Sequence, residues 1–527
     1  MSDGTDPRDK FKKPLQRPAL DLPSRRIESA ASPSSSLPVP VKAPASEAPA
    51  PSSGLARLFE AIGRALSPKP PAKEPAEPVA SGEPAVFTVA VAALTGDADG
   101  ARGAALLHSL EGKGSLGLKA LSRSFALDTL QDPAMIAAAL SNTRMVTANE
   151  KADLLIWGEV GKDGYRLRFT TAAQGDEDRA GYFGPTTRCE LPFDLNEAVS
   201  TLLYAATLAA AEAATPAQKG AVRRLLPVAA GGAEALAARP PVQMSMPQQR
   251  SVQTVFGHVA AATALAVPPS QADAWFEKAL GAYRAAQKRV ARTDPAWETG
   301  LLHKYIGAVL GARAERSKTP APLLEDAVKA WRAAAETLTR EAMPQEWAGA
   351  QTRLGKALYR LDLITGNTEL LREALQALQA ALQVYSRTET PLKWADIMHD
   401  IAQVLEVYGD QLRNPEVLRR AIETCESVLM VLTRDRMPLT WAATQNTLGS
   451  ALFLLDKHTD GIAHLEGAIA ALEAAHGIFA AAGAKGPAQV AARNLGHVRK
   501  LAEERRGRQI VDPDWVDGPG PRPRRRR

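Results

Sequence analysis

The chain has 527 residues, a formal net charge of +6 and an alanine-rich composition in which 45% of residues are hydrophobic but only 5% aromatic. This length is too great for one ordinary core, so it predicts two or three domains. The scarcity of aromatic residues favours closely packed helices over a β-sandwich. Two cysteines, Cys189 and Cys425, exclude a disulfide framework and fit a reducing compartment.

The sequence indicates a cytoplasmic location. Its first twenty residues contain no apolar segment of signal-peptide length, and no run of about 18 apolar residues occurs in the chain, so no membrane span is expected. Five of the positive charges are arginines at the end of the chain, at 522 and 524–527. The basic character therefore belongs mostly to a tail at 507–527, which we expect to be disordered.

Residues 1–84 are rich in Pro, Ser, Ala and Lys. They bury too little apolar surface to offset their ordering entropy, so we expect disorder there. Residues 54–67 differ because their large apolar side chains fall on one helical stripe. This short helix has three interpretations: a chance patch or a helix docked on the protein's own body, a docking motif for another protein, or a membrane-surface helix, which its weakly basic polar face disfavours.

Residues 85–215 alternate between strand and helix patterns, which indicates a small α/β or α+β domain. Strands are predicted in VFTVAVAAL, LGLKAL, ADLLIWGEV and YRLRFTTA, the last two forming a hairpin around GKDG. Helices are predicted near 104–110, from Asp132 and Pro133 onwards, and from Leu195 onwards.

Two motifs in this region resemble the TolB amino-terminal-like domain. One is the first strand ending in the loop TGDADG before a helix, and the other is Ala-Asp-apolar-apolar-apolar-x-Gly-x-Val at 152–160. The resemblance covers about 85–215 and implies a binding or assembly module, not an enzyme. The family is best known from periplasmic proteins, but this chain shows no export signal, so location is not carried over.

The rest of the chain is interpreted as a linker at 216–250, helical in PAQKGAVRRLLP and extended in ARPPVQMSMPQQR, followed by helical repeats at 251–506. The segment MPQEWAGAQTRLGKAL at 343–358 recurs in similar form as MPLTWAATQNTLGSAL at 437–452. Prolines spaced 49, 47, 47 and 49 residues apart mark the units, and a fixed period of this size is typical of a repeat architecture. These prolines are Pro295, Pro344, Pro391, Pro438 and Pro487.

Each repeat unit is predicted to contain two helices. In the first, Gly355 follows a core leucine and leaves room for a neighbouring helix, and Gly307, Ala402 and Gly449 are its equivalents. In the second, a small, a large and a small residue share one face. These triads are Ala279, Tyr283, Ala286; Ala327, Trp331, Ala334; Ala374, Leu378, Ala381; Ala421, Cys425, Val428; and Ala468, Leu472, Ala475.

The Leu-Gly pair, the Ala-large-Ala triad and the closing proline resemble the tetratricopeptide repeat, although the period here is about 47 residues and not 34. The family implies a concave groove lined by the first helices, with the position three residues before the Gly or Ala landmark pointing into it. The implied groove residues are Lys304, Thr352, His399 and Asn446, which should form one row, flanked by Lys356, Gln403 and Ser450, with Arg360 nearby. We expect them either to hold an extended peptide, with Asn446 bonding its backbone and the cations favouring acidic side chains, or to be a solvated face. The repeat and the preceding domain together resemble bacterial repeat proteins.

No catalytic or metal-binding motif is evident. The eight histidines form no HExxH and none lies near a cysteine, and GKGS at 112–115 lacks the other residues of a phosphate loop. Cys425 is predicted to be a core residue, Cys189 a packing residue, and TGDADG a polar turn. We therefore expect no cofactor and no metal.

The predicted fold class is multidomain: a disordered N-terminus, a small α/β or α+β domain, and an all-α tetratricopeptide-like array. The predicted function is a non-catalytic scaffold or adaptor that binds a protein or peptide in its groove. One alternative is a small-molecule or nucleotide sensor using residues 85–215. Another is weak nucleic-acid association through the arginine tail.

Overall fold

The computed structural model describes residues 85–511, except 128, 130, 131, 174, 176 and 178. The predictions for residues 1–84, including the helix at 54–67, and for the tail from 512 onwards lie outside the described residues. The described part has a small mixed sheet domain followed by a long array of helices. This architecture confirms the predicted order of an α/β domain and an all-α repeat region.

The described residues of the sheet domain form five strands and three helices. The strands are β1 Phe87–Ala93, β2 Leu116–Ser124, β3 Leu154–Val160, β4 Gly164–Thr171 and β5 Cys189–Pro192, and the helices are α1 Ala101–Leu110, α2 Pro133–Asn149 and α3 Glu197–Ala210. The sheet order is β2-β1-β3-β4-β5, with β1 parallel to β2 and β3, and β3, β4 and β5 antiparallel in turn. All four predicted strands are present. Cys189, predicted only as a packing residue, begins the fifth.

The start of α2 shows why the sequence predicts this element. The Asp132 carboxylate accepts a hydrogen bond from the backbone N–H of Ala134 at 2.9 Å. Pro133 occupies the first helical turn, where its missing N–H costs nothing. The two residues therefore fix where the helix begins.

The array consists of consecutive helices that pack against their sequence neighbours. They are α4 Pro216–Ala238, α5 Met246–Ala266, α6 Pro269–Gln287, α7 Ala296–Arg316, α8 Pro320–Leu338, α9 Pro344–Thr365, α10 Thr368–Ala381, α11 Pro391–Leu412, α12 Pro415–Leu429, α13 Pro438–Thr459, α14 Leu465–Ala481 and α15 Lys485–Val511. Each predicted repeat is a pair, from α5–α6 to α13–α14, and α15 covers the last pair. The segment 507–511, predicted as the start of the tail, continues α15 as helix.

The two helices of each pair meet where a small residue faces a large one. A Cβ added to the glycine would lie 2.4–2.7 Å from the larger side chain, closer than any real Cβ contact. The pairs are Gly257 with Tyr283, Gly307 with Trp331, Gly355 with Leu378, and Gly449 with Leu472. In the fourth repeat the corresponding residues are Ala402 and Cys425, both fully buried. The smaller Cys425 leaves room for the extra methyl group of Ala402.

The segment predicted as a linker, 216–250, contains more helix than the sequence indicates. Helix α4 fills most of it, and α5 begins at Met246, before the predicted boundary at 251. The helix expected at 216–227 continues past Pro227 and the glycines at 231 and 232, because tertiary packing overrides their low intrinsic helix propensity. Ala230 and Ala233 are fully buried.

The sheet domain and the array share one hydrophobic core. A single cluster of buried residues runs from Phe87 in β1 through Leu202 in α3 and Val255 in α5 to Leu455 in α13. Polar contacts reinforce this junction: the Ser251 hydroxyl accepts a hydrogen bond from the backbone N–H of Glu190 at 2.7 Å. The sheet is therefore fixed against the first repeat.

Candidate functional site: a groove along the first helices

The described residues form a cavity of about 1110 Å³. The first helices of consecutive pairs, α7, α9, α11 and α13, form its floor, together with His258 of α5. The sheet domain contributes a wall, made by α2 and the segment 181–187. Its volume is slightly above the ~300–1,000 Å³ that pockets for drug-sized ligands occupy.

Six of the eight groove residues named from the sequence line this cavity. They are Lys304, Thr352, Lys356, Arg360, His399 and Gln403. Thr352 bonds within its own helix, to the Ala348 carbonyl at 2.9 Å. His399 is 7% exposed, its Nδ1 lies 3.1 Å from the Thr444 hydroxyl, and burial lowers its pKa to about 4. His399 is therefore neutral at physiological pH.

Asn446 and Ser450 do not line the cavity. They are 1% and 2% exposed, and the Asn446 Oδ1 accepts a hydrogen bond from Asn494 of α15 at 3.4 Å. The expected single row of groove residues is therefore divided, because α15 packs over this end of α13. The buried Asn446 is therefore not available to bond the backbone of a bound peptide.

The three cations named from the sequence are already engaged by carboxylates of neighbouring first helices. Lys304 of α7 pairs with Glu346 of α9. Arg360 of α9 lies 3.0 Å from Glu315 of α7. Burial acts to lower the pKa of Lys304, but Glu346, together with Tyr305 and Glu177, outweighs burial and leaves that pKa above its usual value.

The third cation, Lys356 of α9, lies 3.0 Å from Asp400 of α11. Each of the three pairs joins consecutive first helices, so they tie the repeats together along the groove floor. The expectation of free cations that attract acidic side chains therefore has to be revised.

The sheet domain is bonded directly to the groove. The Thr186 hydroxyl donates to Glu346 at 2.8 Å, and the hydroxyls of Thr187 and Tyr305 lie 3.4 Å apart. Arg188 pairs with Glu298 of α7. Sequence reasoning missed this wall because nothing in the repeat period points to the segment 181–187.

An aromatic cluster closes the end of the groove nearest the sheet. The ring of His258 has its centroid 4.4 Å from that of Tyr305 and 5.0 Å from that of Phe183. Burial, reinforced by Lys304, lowers the pKa of His258 to about 3. The imidazole is therefore neutral, and its Nδ1 lies 3.2 Å from the Tyr283 hydroxyl.

The spacing of four polar residues on α11 also marks the groove. Lys393, Asp396, Asp400 and Gln403 follow each other at spacings of 3, 4 and 3, which places them on one stripe of α11. All four line the cavity. Of these four, only Gln403 is among the groove residues expected from the repeat register, as a flanking position.

No group of three or more His, Cys, Asp or Glu side chains in the described part of the chain is arranged to hold a metal ion. Both cysteines are buried, and desolvation raises the pKa of Cys189 to about 12, so it is not a thiolate at neutral pH. None of the described helices is long and apolar enough to span a membrane.

Comparisons with known proteins give no family assignment. No protein-family model and no curated protein matches the sequence. One solved structure, described as a circular tandem repeat protein with novel repeat topology and enhanced subunit contact surfaces, matches at 12% identity and a TM-score of 0.26. The match covers 60% of this chain and 86% of that one. A TM-score this low does not establish a shared fold.

Proposed function

We propose that this chain is a non-catalytic scaffold whose groove binds a peptide segment of a partner protein. The observation that carries the proposal is the cavity of about 1110 Å³ whose floor comes from equivalent helices of successive repeats. An extended peptide that crosses these helices meets a similar set of side chains at each repeat. Stacked helical repeats commonly use such concave surfaces for binding.

The resemblances noted in the sequence belong to this proposal. The close approach of Gly355 to Leu378 supports a tetratricopeptide-like pairing of helices, with longer units. The sheet domain, in the TolB-like interpretation, is an assembly module that shapes one wall of the groove. Two buried free cysteines are in keeping with the cytoplasmic location proposed for the scaffold.

Gly349 provides a way to block the groove. It lies on α9 in the cavity lining, and a Cβ added there would meet no atom within 4 Å. Tryptophan at this position should fill the groove without disturbing helix packing. Gly281 on α6 is a matched control, because it is exposed, has the same free space and does not line the cavity.

The experiment is selection of a phage-displayed library of random dodecapeptides on three proteins: wild type, G349W and G281W. We expect wild type and G281W to enrich the same peptides and G349W to lose them, with equal helicity by circular dichroism. Failure of the wild type to enrich any peptide would refute the proposal. So would enrichment that G349W leaves intact.

A second candidate function has one observation in its favour. Because the segment 181–187 and α2 of the sheet domain line the same cavity, a small molecule could bind between the sheet and the repeats. A thermal shift screen of metabolites on wild type and G349W tests this sensor function. A stabilising compound whose effect disappears in G349W would favour it over peptide binding.

A further inference from the structure

We propose that the groove recognises a cationic side chain of the bound peptide, arginine above all, through Asp396. This inference rests on the proposed function and adds the chemistry of the partner. It reverses the preference for acidic ligands that the lysines and arginines of the sequence suggest.

Asp396 holds a central position on the groove floor. It lies on α11 between Lys393 and Asp400, one helical turn from each. All three residues line the cavity. A ligand that follows the groove therefore passes over the Asp396 carboxylate.

The other carboxylates of the cavity are engaged, whereas Asp396 is open. Glu346 pairs with Lys304, Asp400 with Lys356, Glu315 with Arg360, and Glu177 with Lys393 at 3.1 Å. Among the described residues, Asp396 makes no hydrogen bond and no ion pair. It is the one cavity-lining carboxylate of that part of the chain left without such a partner.

The surroundings of Asp396 favour an added positive charge. The carboxylate is half-buried, and desolvation raises its pKa, opposed by Lys356 and Lys393 and reinforced by Asp400. Both lysines are committed to other carboxylates. A bound cation would compensate for the hydration that the Asp396 carboxylate loses on burial.

A second lining residue also has a polar group without a partner. Tyr359 of α9 lines the cavity and is 9% exposed, and its buried hydroxyl has no hydrogen-bond partner among the described residues. A buried hydroxyl without a partner destabilises the fold unless a ligand or a water molecule supplies the missing hydrogen bond. Asp396 and Tyr359 lie on neighbouring first helices, so one peptide can contact both.

Arginine fits this site better than lysine. A guanidinium presents five N–H donors in a planar fork that matches a carboxylate in two parallel hydrogen bonds. It is also more weakly hydrated than an ammonium group and loses less on entering a half-enclosed groove. An acidic side chain that binds Lys304, Lys356 or Arg360 would instead have to displace the carboxylate already paired with it.

The test extends the peptide selection to D396N, with D326N as the matched control. Asp326 is an exposed carboxylate on α8, and its partner is Lys329 at 2.9 Å. We expect arginine to be enriched several-fold over the input library on wild type and D326N, and to return to input frequency on D396N. Enrichment of arginine that D396N leaves unchanged would overturn the inference, as would peptides selected without it.

A double-mutant cycle measures the contact itself. Replacing the arginine of a selected peptide by citrulline removes the charge and keeps the shape. We expect D396N or citrulline alone to weaken binding by roughly 10- to 100-fold, and the two together to weaken it little more. Fully additive losses would show that the arginine binds elsewhere.

The two proposals can fail separately. If the wild type selects no peptide, the proposed function fails. Titration with N-acetylargininamide, followed through the carboxyl carbon resonance of Asp396 by NMR, then tests the cation site alone. A shift at Asp396 that is absent when N-acetylcitrullinamide is used supports the site, and no shift overturns it.

Discussion

Gly355 offers a direct test of how the helix pairs pack. A Cβ at this position would lie 2.7 Å from Leu378 Cγ and 3.1 Å from the Ala374 carbonyl oxygen. Neither atom is the free end of a flexible side chain, so the two helices must separate. Overpacking of this kind costs about 1–3 kcal/mol, whereas replacing a helical glycine by alanine returns about 1 kcal/mol. We therefore expect G355A to destabilise the protein by about 0–2 kcal/mol.

The same helix contains the control for this change. Gly349 lies two turns earlier in α9, and a Cβ there meets nothing within 4 Å. G349A should therefore gain the higher helix propensity of alanine without any overpacking, which adds about 0.5–1 kcal/mol of stability. Urea unfolding followed by circular dichroism should give midpoints on opposite sides of the wild type, or a G355A midpoint well below that of G349A.

The neighbouring repeat suggests a partial rescue. There Ala402 and Cys425 occupy the positions of Gly355 and Leu378, and both are fully buried. The double variant G355A/L378C should lose less free energy of unfolding than the two single variants lose in sum. The difference, which is the coupling energy between the two positions, should be about 1 kcal/mol. Equal midpoints for G355A and G349A, or full additivity in the cycle, would refute the close approach on which the repeat packing depends.

Three further predictions concern buried groups. Burial raises the pKa of Asp362 to about 6, partly offset by a hydrogen bond from Gln411, so the folded state binds this proton more tightly than the unfolded state. The stability of the wild type relative to D362N should fall as pH rises from about 4 to about 6, by up to about 3 kcal/mol, as measured by thermal melts in that range. Ala374→Glu would bury a carboxylate at a fully enclosed position, and circular dichroism should show a loss of several kcal/mol. Cys189 and Cys425 are both buried with raised pKa values, so they should react with a thiol reagent only as the protein unfolds in urea.

The repeat units could be predicted from sequence because their determinants are local. A proline at a helix start and a small residue opposite a large one are requirements of single helices and of adjacent helices. They recur with the period, so spacing reveals them. Helix α4 could be predicted only up to Pro227, because it occurs once, and Pro227 and two glycines obscure the pattern of its second half.

The groove could be predicted only in outline. The repeat register located six of the lining residues, but not the partners that neutralise their charges. Lys304 meets Glu346 and Arg360 meets Glu315 across intervals of 42 and 45 residues. These contacts depend on how successive repeats stack, and a period of about 47 residues leaves that geometry open. The wall at 181–187 comes from another domain altogether.

The sign of one stability change separates a binding role for Asp396 from a structural one. A carboxylate retained for structure would have a lowered pKa, because its partners would favour the charged form. Burial instead raises the pKa of Asp396, although Lys356 and Lys393 oppose the shift. The charged form is thus less favourable in the folded state, and D396N should be at least as stable as the wild type above the pH at which this carboxyl ionises. Its advantage should disappear at low pH, where both proteins are neutral at this position. Melts of D396N and the wild type across pH measure this difference. A marked loss of stability in D396N at neutral pH would show that Asp396 has a structural partner and would remove the argument for an open cation site.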